Sequence, residues 1–562
     1  MNAHDLRVEE AAATYLVAPP LTDHLATFAS APEGFKRLRE LVLNLAVRGR
    51  LLPQTNTEKP LSIGSQTLPL SDTPFSIPQS WRWARIGEVL SLINGRAFKP
   101  AEWLPSGLPI VRIQNLNNAA AAFNYCDATS VDARHLIDDG EFLISWSGTP
   151  GTSFGAFIWT RGRAALNQHI FKCELLTQEI DQVYLRLAIN GRLDEMIAKA
   201  HGGVGLQHIT KGKLEQLALP LPPLAEQSRI IAKVEELMAL IDRLEARVSH
   251  GETARGKLLD ALLTALAASP DAAATADAWA QLAPHFDLLL QTPADVDRLQ
   301  QTLLTLAVKG RLVPQDPNDE PAAELLKRIR VETERLVAEG KIRREKPLPA
   351  KDEYELPLVA PHGWQWASLG DVVLSSEAGW SPSCENMPRE SSKWGVLKVS
   401  AVSWGEFLDD ENKALPSHLE ARPEYEVLPG DFLLSRANTV ELVARSVVAW
   451  SPKSRLMLSD KIIRLHISKG ADKAYFNLFN NSLLARAHYV ANASGTSASM
   501  KNVSREVVLS LPVPVPPAAE QRRIVAAVAS LTALCDRLRD RLAARRDLSA
   551  KLAAALTEGA LS

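Results

Sequence analysis

The sequence predicts a mixed α/β chain: two α+β domains separated by long antiparallel coiled-coil helices, with a pseudo-two-fold internal duplication. Three observations predict it. Residues 217–237, LALPLPPLAEQSRIIAKVEEL, return at 509–531 as LSLPVPVPPAAEQRRIVAAVASL. Residues 38–54, LRELVLNLAVRGRLLPQ, return at 299–315 as LQQTLLTLAVKGRLVPQ, identical at ten of seventeen positions. After each proline-rich stretch, apolar residues recur with heptad spacing.

The first segment, 1–57, is an N-terminal extension of about 30 residues before Gly34, then a helical piece ending in AVRGRLLPQ. The opening MNAHDLRVEEAAATYL carries early acidic residues and no apolar centre, so it does not read as a secretory signal.

The first α+β domain covers 58–222. It opens on Trp81-Arg82-Trp83, with Gly87 following, and carries Gly140-Glu-Phe-Leu-Ile-Ser145. LPIVRIQNL (108–116), EFLISW (141–146) and GAFIW (155–159) read as strands, bounded by Gly, Pro, Ser and Asn. DQVYLRLAINGRLDEMIAKA (181–200) reads as an amphipathic helix. A polar and basic loop, 202–217, precedes the proline exit. At Pro220, Pro222 and Pro223 a strand should end and a helix begin, because proline suits a first helical turn but not a strand interior.

The central helix is assigned to 223–265. Ile230, Val234, Leu237, Ile241, Leu244 and Val248 form its seam, with steps of 4, 3, 4, 3, 4. Residues 266–355 are a linker and helical region that repeats the N-terminal segment. The second domain, 356–516, repeats the order with Trp364-Gln-Trp366, Gly370 and Gly430-Asp-Phe-Leu-Leu-Ser435, and WGVLKVSAV (394–402) reads as one of its strands. The distal helix, 517–562, carries the matching seam Ile524, Val528, Leu531, Cys535, Leu538 and Leu542. Two seams of equal spacing favour pairing with each other. Six positions span roughly 27 Å at about 1.5 Å per residue. The offset between copies grows from 261 (Leu38 to Leu299) to 294 (Gln227 to Gln521), so the second copy holds 33 extra residues.

The formal net charge is only −2 over 562 residues, so any basic surface must come from local segregation of charge. The four cysteines are far apart and fit neither a disulfide framework nor a zinc site, which suits a reducing cytoplasm. No run approaches the roughly 18 apolar residues of a membrane span.

Enzyme motifs fail on context. Gly151-Thr-Ser153-Phe-Gly155 fits a nucleophile elbow, but strand and turn follow instead of a helix, and the second copy has no equivalent serine. Gly251 to Lys257 nearly spells a phosphate-binding loop, yet follows a helix and lacks the terminal Ser/Thr; it reads as a helix break with solvated charges. No catalytic residue and no metal site is expected.

A pseudo-two-fold pair of domains on a helical ruler matches the two-fold axis of duplex DNA, whose half-sites recur about 34 Å apart. Side chains suited to base edges sit where strands end: Arg112, Gln114, Asn115, Asn167 and Gln168 in the first domain, and Lys398, Ser400, Arg436 and Asn438 in the second. Lys211, Lys213, Lys501 and Arg505 suit phosphates.

The two Pro-Pro-x-Ala-Glu-Gln exits (222–227 and 516–521), the paired AVxGRLxPQ segments and the two W-x-W starts together resemble the specificity subunit (HsdS) of type I restriction–modification systems. The resemblance covers nearly the whole chain. It implies two target recognition domains, each reading half of a split, asymmetric target in double-stranded DNA. It implies that the helices fix the gap and dock two methyltransferase (HsdM) subunits, with restriction (HsdR) subunits joining. S-adenosylmethionine, ATP and Mg2+ would then be used by those partners, with no cofactor bound by this chain and no membrane involved. Two alternatives stand beside this reading: a helical scaffold that binds protein partners, and the recognition subunit of a fused restriction–methylation enzyme.

Overall fold

The computed structural model describes residues 24–561 apart from 55–57, 70–72, 74, 149–153, 193–200, 204–205, 344–358, 385, 404 and 496–499. The chain divides into two compact units. One holds the described residues up to Glu252 together with Ala544 onward; the other spans Thr253–Ala543.

In the first unit, Arg82–Arg85 pairs antiparallel with Ala218–Leu221. An antiparallel four-stranded sheet runs in the order Leu90–Asn94, Ile170–Leu175, Phe142–Ser145, Gly155–Ile158. A second sheet runs Asn124–Cys126, Leu108–Val111, Ala164–Leu166, Leu136–Ile137, and its two central strands are parallel. A small sheet joins His201–Gly203, Leu206–His208 and Ser147–Gly148. The helix Gly34–Val47 buries Leu38, Leu41, Val42 and Leu45, an i, i+3, i+4, i+7 face. Ahead of it, Leu25–Ser30 adds the buried Phe28 to the same core. That gives part of the N-terminal extension a packing role.

The second unit repeats this plan. Gln365–Ser368 pairs with Pro512–Val515. The four-stranded sheet runs Val373–Ala378, Ile462–Ile467, Asp431–Ser435, Ser446–Ala449. Gly395–Leu397 again lies parallel to a neighbour, Leu456–Met457. Ala437–Asn438 pairs with Lys501–Asn502. Much of the extra length is an added helix. Gln54 and Trp81 are 27 positions apart, Gln315 and Trp364 are 49. The helix Ala322–Ala338 fills this interval and buries Ala322, Leu325 and Ile329.

Several local expectations change. The strand expected over 108–116 stops at Val111 and a short helix, Ile113–Asn117, follows. The Asn115 side chain accepts the Arg112 backbone N–H at 3.0 Å, so the sequence caps its own turn. In the same way 394–402 is a strand over Gly395–Leu397, then a helical turn over Val399–Val402. The loop 202–217 holds a strand pair and the short helix Lys211–Glu215.

Proline does enter the strands. Pro220 sits opposite Trp83, and Pro514 opposite Trp366. The Pro220 carbonyl accepts the Tyr184 hydroxyl at 2.8 Å, and the Pro514 carbonyl accepts the Tyr475 hydroxyl at 2.6 Å. On a strand, N–H and C=O of one residue point the same way, so each missing N–H faces the outer edge and no ladder bond is lost.

The central long helix runs Leu224–Ala268 without a break at Gly251 or Gly256, contrary to the expectation there. The distal one runs Ala518–Leu561. The seams do not pair with each other. In the first unit Ile230, Val234 and Ile241 are buried with Ala553, and Leu237, Leu556 and Leu561 pack on that core. In the second, Ile524 joins the α+β core, while Cys535 and Leu542, with Leu531 and Leu538, meet Leu259, Leu263, Leu266, Leu299 and Leu303. Within each unit, part of the seam therefore shares a core with residues from the far end of the other long helix. Leu244 and Val248 are half-buried. The shared heptad period gave spacing but not register, and the α+β domains compete for the first turns.

Candidate nucleic-acid interface

The repeated motifs converge on one hub per unit. Trp81 Nε1 donates to Glu226 Oε2 at 2.9 Å, and Trp364 Nε1 donates to Glu520 Oε2 at 3.0 Å. Gln54 donates to Glu226 and to the Gly49 carbonyl; Gln315 donates to Glu520 and to the Gly310 carbonyl. Gln227 accepts the Asp181 backbone N–H at 2.7 Å, and Gln521 accepts that of Asp472 at 2.9 Å. Gly49 (φ +67°) and Gly310 (φ +65°) lie against Trp81 and Trp364, where a Cβ would collide with Pro78 or with Pro361. Glu226 and Glu520 are each 1% exposed. Burial raises the pKa of both carboxyls, opposed by the hydrogen bonds from glutamine and tryptophan. The hub is structural: it clamps a W-x-W strand, an AVxGRLxPQ tail and a long-helix N-terminus together.

The candidate reading residues lie elsewhere. Arg112, Gln114, Asn115, Asn167, Gln168, Lys398 and Ser400 follow the carboxyl ends of the parallel strands. Arg436, Asn438 and Lys501 sit on or beside the strand pair Ala437–Asn438 and Lys501–Asn502, and Lys211, Lys213 and Arg505 lie on short helices. Asn167 N–H donates to the Val111 carbonyl at 3.0 Å, which sets the turn after Leu166 beside the turn after Val111. Hydrogen bonds define equivalent positions in the second unit. Arg96 N–H donates to Leu166 O and Trp380 N–H to Leu458 O. Trp146 N–H donates to His169 O and Arg436 N–H to Lys461 O. Ile209 N–H donates to Trp146 O and Val503 N–H to Arg436 O. Position by position, Arg112 matches Lys398, Gln114 matches Ser400, and Gln168 matches Asp460. Lys211, in turn, matches Arg505. These three backbone bonds are common to both edges and the side chains differ.

Within the first edge, Gln114 and Gln168 are exposed and Asn167 is half-buried. Arg112 stacks its guanidinium 5.8 Å from the Trp103 ring centre, and its Nε is buried without a hydrogen bond among the described residues. Asn115 is 2% exposed and its amide donates to the Ala121 and Ala122 carbonyls, so it holds the turn and faces no ligand. Lys211 is exposed, though its ammonium reaches the Leu92 carbonyl at 2.8 Å. Lys213 is half-buried on the same short helix.

In the second edge, Lys398 lies 3.7 Å from Glu411, and Ser400 donates to that same carboxylate at 2.6 Å. Arg436 and Arg505 are exposed. Asn438 donates to Ser403 at 2.9 Å and Lys501 to the Gly495 carbonyl at 2.6 Å. A cavity of about 480 Å³ opens here, bounded by Lys398, Lys413, Lys461, Asp460 and Ser381. Sequence reasoning passed over Arg96, Asp460 and Lys461. Arg96 stacks 4.8 Å from the Phe98 ring centre and donates to Ser130 O at 2.8 Å. The signal for Arg96 was the basic and aromatic run NGRAFK; for Asp460 and Lys461 it was their place after the strand at 456–457.

Ser153 of the rejected elbow lies outside the described residues. Among the described residues no helix is long and apolar enough to cross a membrane, and no group of three or more His, Cys, Asp or Glu is placed to hold a metal ion.

The type I restriction modification DNA specificity domain matches residues 78–249. The specificity subunit of the type I restriction enzyme EcoEI from Escherichia coli is 32% identical, covering 96% of this chain and 99% of the relative. That of EcoAI, also from Escherichia coli, is 27% identical with the same coverage. The crystal structure of an HsdS subunit from Thermoanaerobacter tengcongensis aligns with TM-score 0.44 and 16% identity, covering 87% of this chain and 99% of that one. With identity of this order along nearly its whole length, the chain belongs to the specificity subunits of type I restriction enzymes.

Proposed function

We propose that this chain gives a type I restriction–modification complex its DNA target, each α+β domain reading one half of a split, asymmetric sequence. One observation carries the proposal: the two edges share backbone hydrogen bonds at three matched positions yet present different polar side chains, while the two hubs keep the same residues. Shape held constant with contacts varied is what two different half-targets require. The long helices set the gap and dock two methyltransferase subunits, and restriction subunits join that assembly in the cytoplasm. Adenine methylation from S-adenosylmethionine, and ATP- and Mg2+-dependent cleavage, belong to those partners; this chain binds and orients. Full-length kinship with specificity subunits favours DNA recognition over a protein-binding scaffold.

The test is a map of methylated adenines in host DNA with the gene intact and deleted. Loss of methylation at one bipartite motif on deletion is the expected result. Identical maps in a strain that expresses the methyltransferase would refute the proposal.

A further inference from the structure

The cavity of the second unit carries more than the general role. It sits at the carboxyl ends of the parallel strands Gly395–Leu397 and Leu456–Met457. The Ser381 hydroxyl donates to Asp460 Oδ1, and the Asp460 N–H donates back to Ser381 Oγ at 3.1 Å. The carboxylate is thus oriented while Asp460 and Lys461 both remain exposed. Lys398 stands on the neighbouring strand end. Three lysines alone would suit a phosphate, but an exposed carboxylate beside them would repel one. Cationic donors next to a fixed acceptor match something else: the major-groove edge of a G·C pair, with guanine N7 and O6 accepting and cytosine N4 donating.

We propose that this rim reads a G·C pair in the second domain's half-target, Lys398 and Lys461 donating to guanine and Asp460 accepting from cytosine N4. The assignment rests on the DNA-recognition reading above. The equivalents of Lys398 and Asp460 in the first domain are Arg112 and Gln168. Glutamine suits adenine, so the two edges read different letters.

The test is selection from randomised duplexes by the full chain assembled with its methyltransferase subunits. Asp460→Asn should lower discrimination for the G·C pair at one position by about five- to 150-fold. The gap and the other half should stay unchanged, and Lys398→Arg should keep the motif. Lys461→Gln, at an exposed site, should relax the same position and serves if Asp460→Asn does not assemble. An unchanged motif in both Asp460→Asn and Lys461→Gln would overturn the assignment. So would uniform weakening on every sequence with a shallower salt dependence, the mark of a phosphate contact. Should the wild-type assembly select no sequence at all, the DNA-recognition reading itself fails.

Discussion

At the scale of single residues, the buried carboxylates of the hubs decide most. Glu226 takes hydrogen bonds from Trp81 and Gln54 with almost no water contact. Trp81→Phe removes one donor and leaves a buried carboxylate oxygen unpaired, which should cost about 1–3 kcal/mol. Urea denaturation of the wild type and the variant measures it, and an unchanged midpoint would contradict the account. The pKa of Glu226 is raised by burial beyond what its hydrogen bonds recover. Such an acid adds stability below its unfolded pKa and loses it as pH rises through the folded value. Glu226→Gln should therefore gain melting temperature relative to wild type as pH climbs from about 4.3, the ordinary glutamate value, toward neutrality. A difference that stays flat with pH would show that Glu226 does not titrate as described. These residues were legible in the sequence because both copies repeat them. Their meeting was not, because Gln54, Trp81 and Glu226 are scattered along the chain and their spacing gives no distance. Asn115 failed as a reading residue for a related reason: asparagine serves base edges and backbone turns with the same amide groups, and only burial separates the uses.

Among the elements, the long helices show what periodicity conveys and what it leaves open. Heptad spacing found both helices and the face each buries. It could not name the partner, since any apolar stripe of the same period fits. The proline exits do end a strand and open a helix, as expected, but the strands themselves include Pro220 and Pro514: the rule against proline concerns N–H groups inside a ladder, and these N–H positions face an outer edge. Gly251 and Gly256 teach the same lesson. Read as a break, they lie inside the helix Leu224–Ala268, neither has a left-handed φ, and a Cβ at either would meet nothing within 4 Å. Alanine should then be better than glycine by about 0.5–1 kcal/mol at each site, through the lower entropy of the unfolded chain. The double variant Gly251→Ala, Gly256→Ala should raise the melting temperature. A lowered one would mean that the glycines serve a bend or a close contact.

For the whole molecule, the question is what the duplication is for. Each unit holds its own α+β core, its own hub and one end of each long helix. The order of repeats made this plan readable from sequence, since frame and inserted domain alternate twice. The reading edge was only partly readable, because its side chains differ between copies and repetition therefore gives no signal there. If the helices set the gap, their length and the recognised letters are independent variables. Adding one heptad after Glu252 and one after Ala543 keeps the apolar stripe in phase. It lengthens each helix by about 10.5 Å, from a rise of about 1.5 Å per residue. With about 34 Å per turn of 10 base pairs, the gap should grow by up to three base pairs. Both half-targets should be preserved, because neither edge nor hub is touched. Methylated-adenine mapping in a host carrying the lengthened chain reads gap and letters together. A longer gap with intact halves separates ruler from reader. An unchanged gap would mean that contacts outside the helices set the distance, and altered halves would mean that the edges do not read independently of the frame.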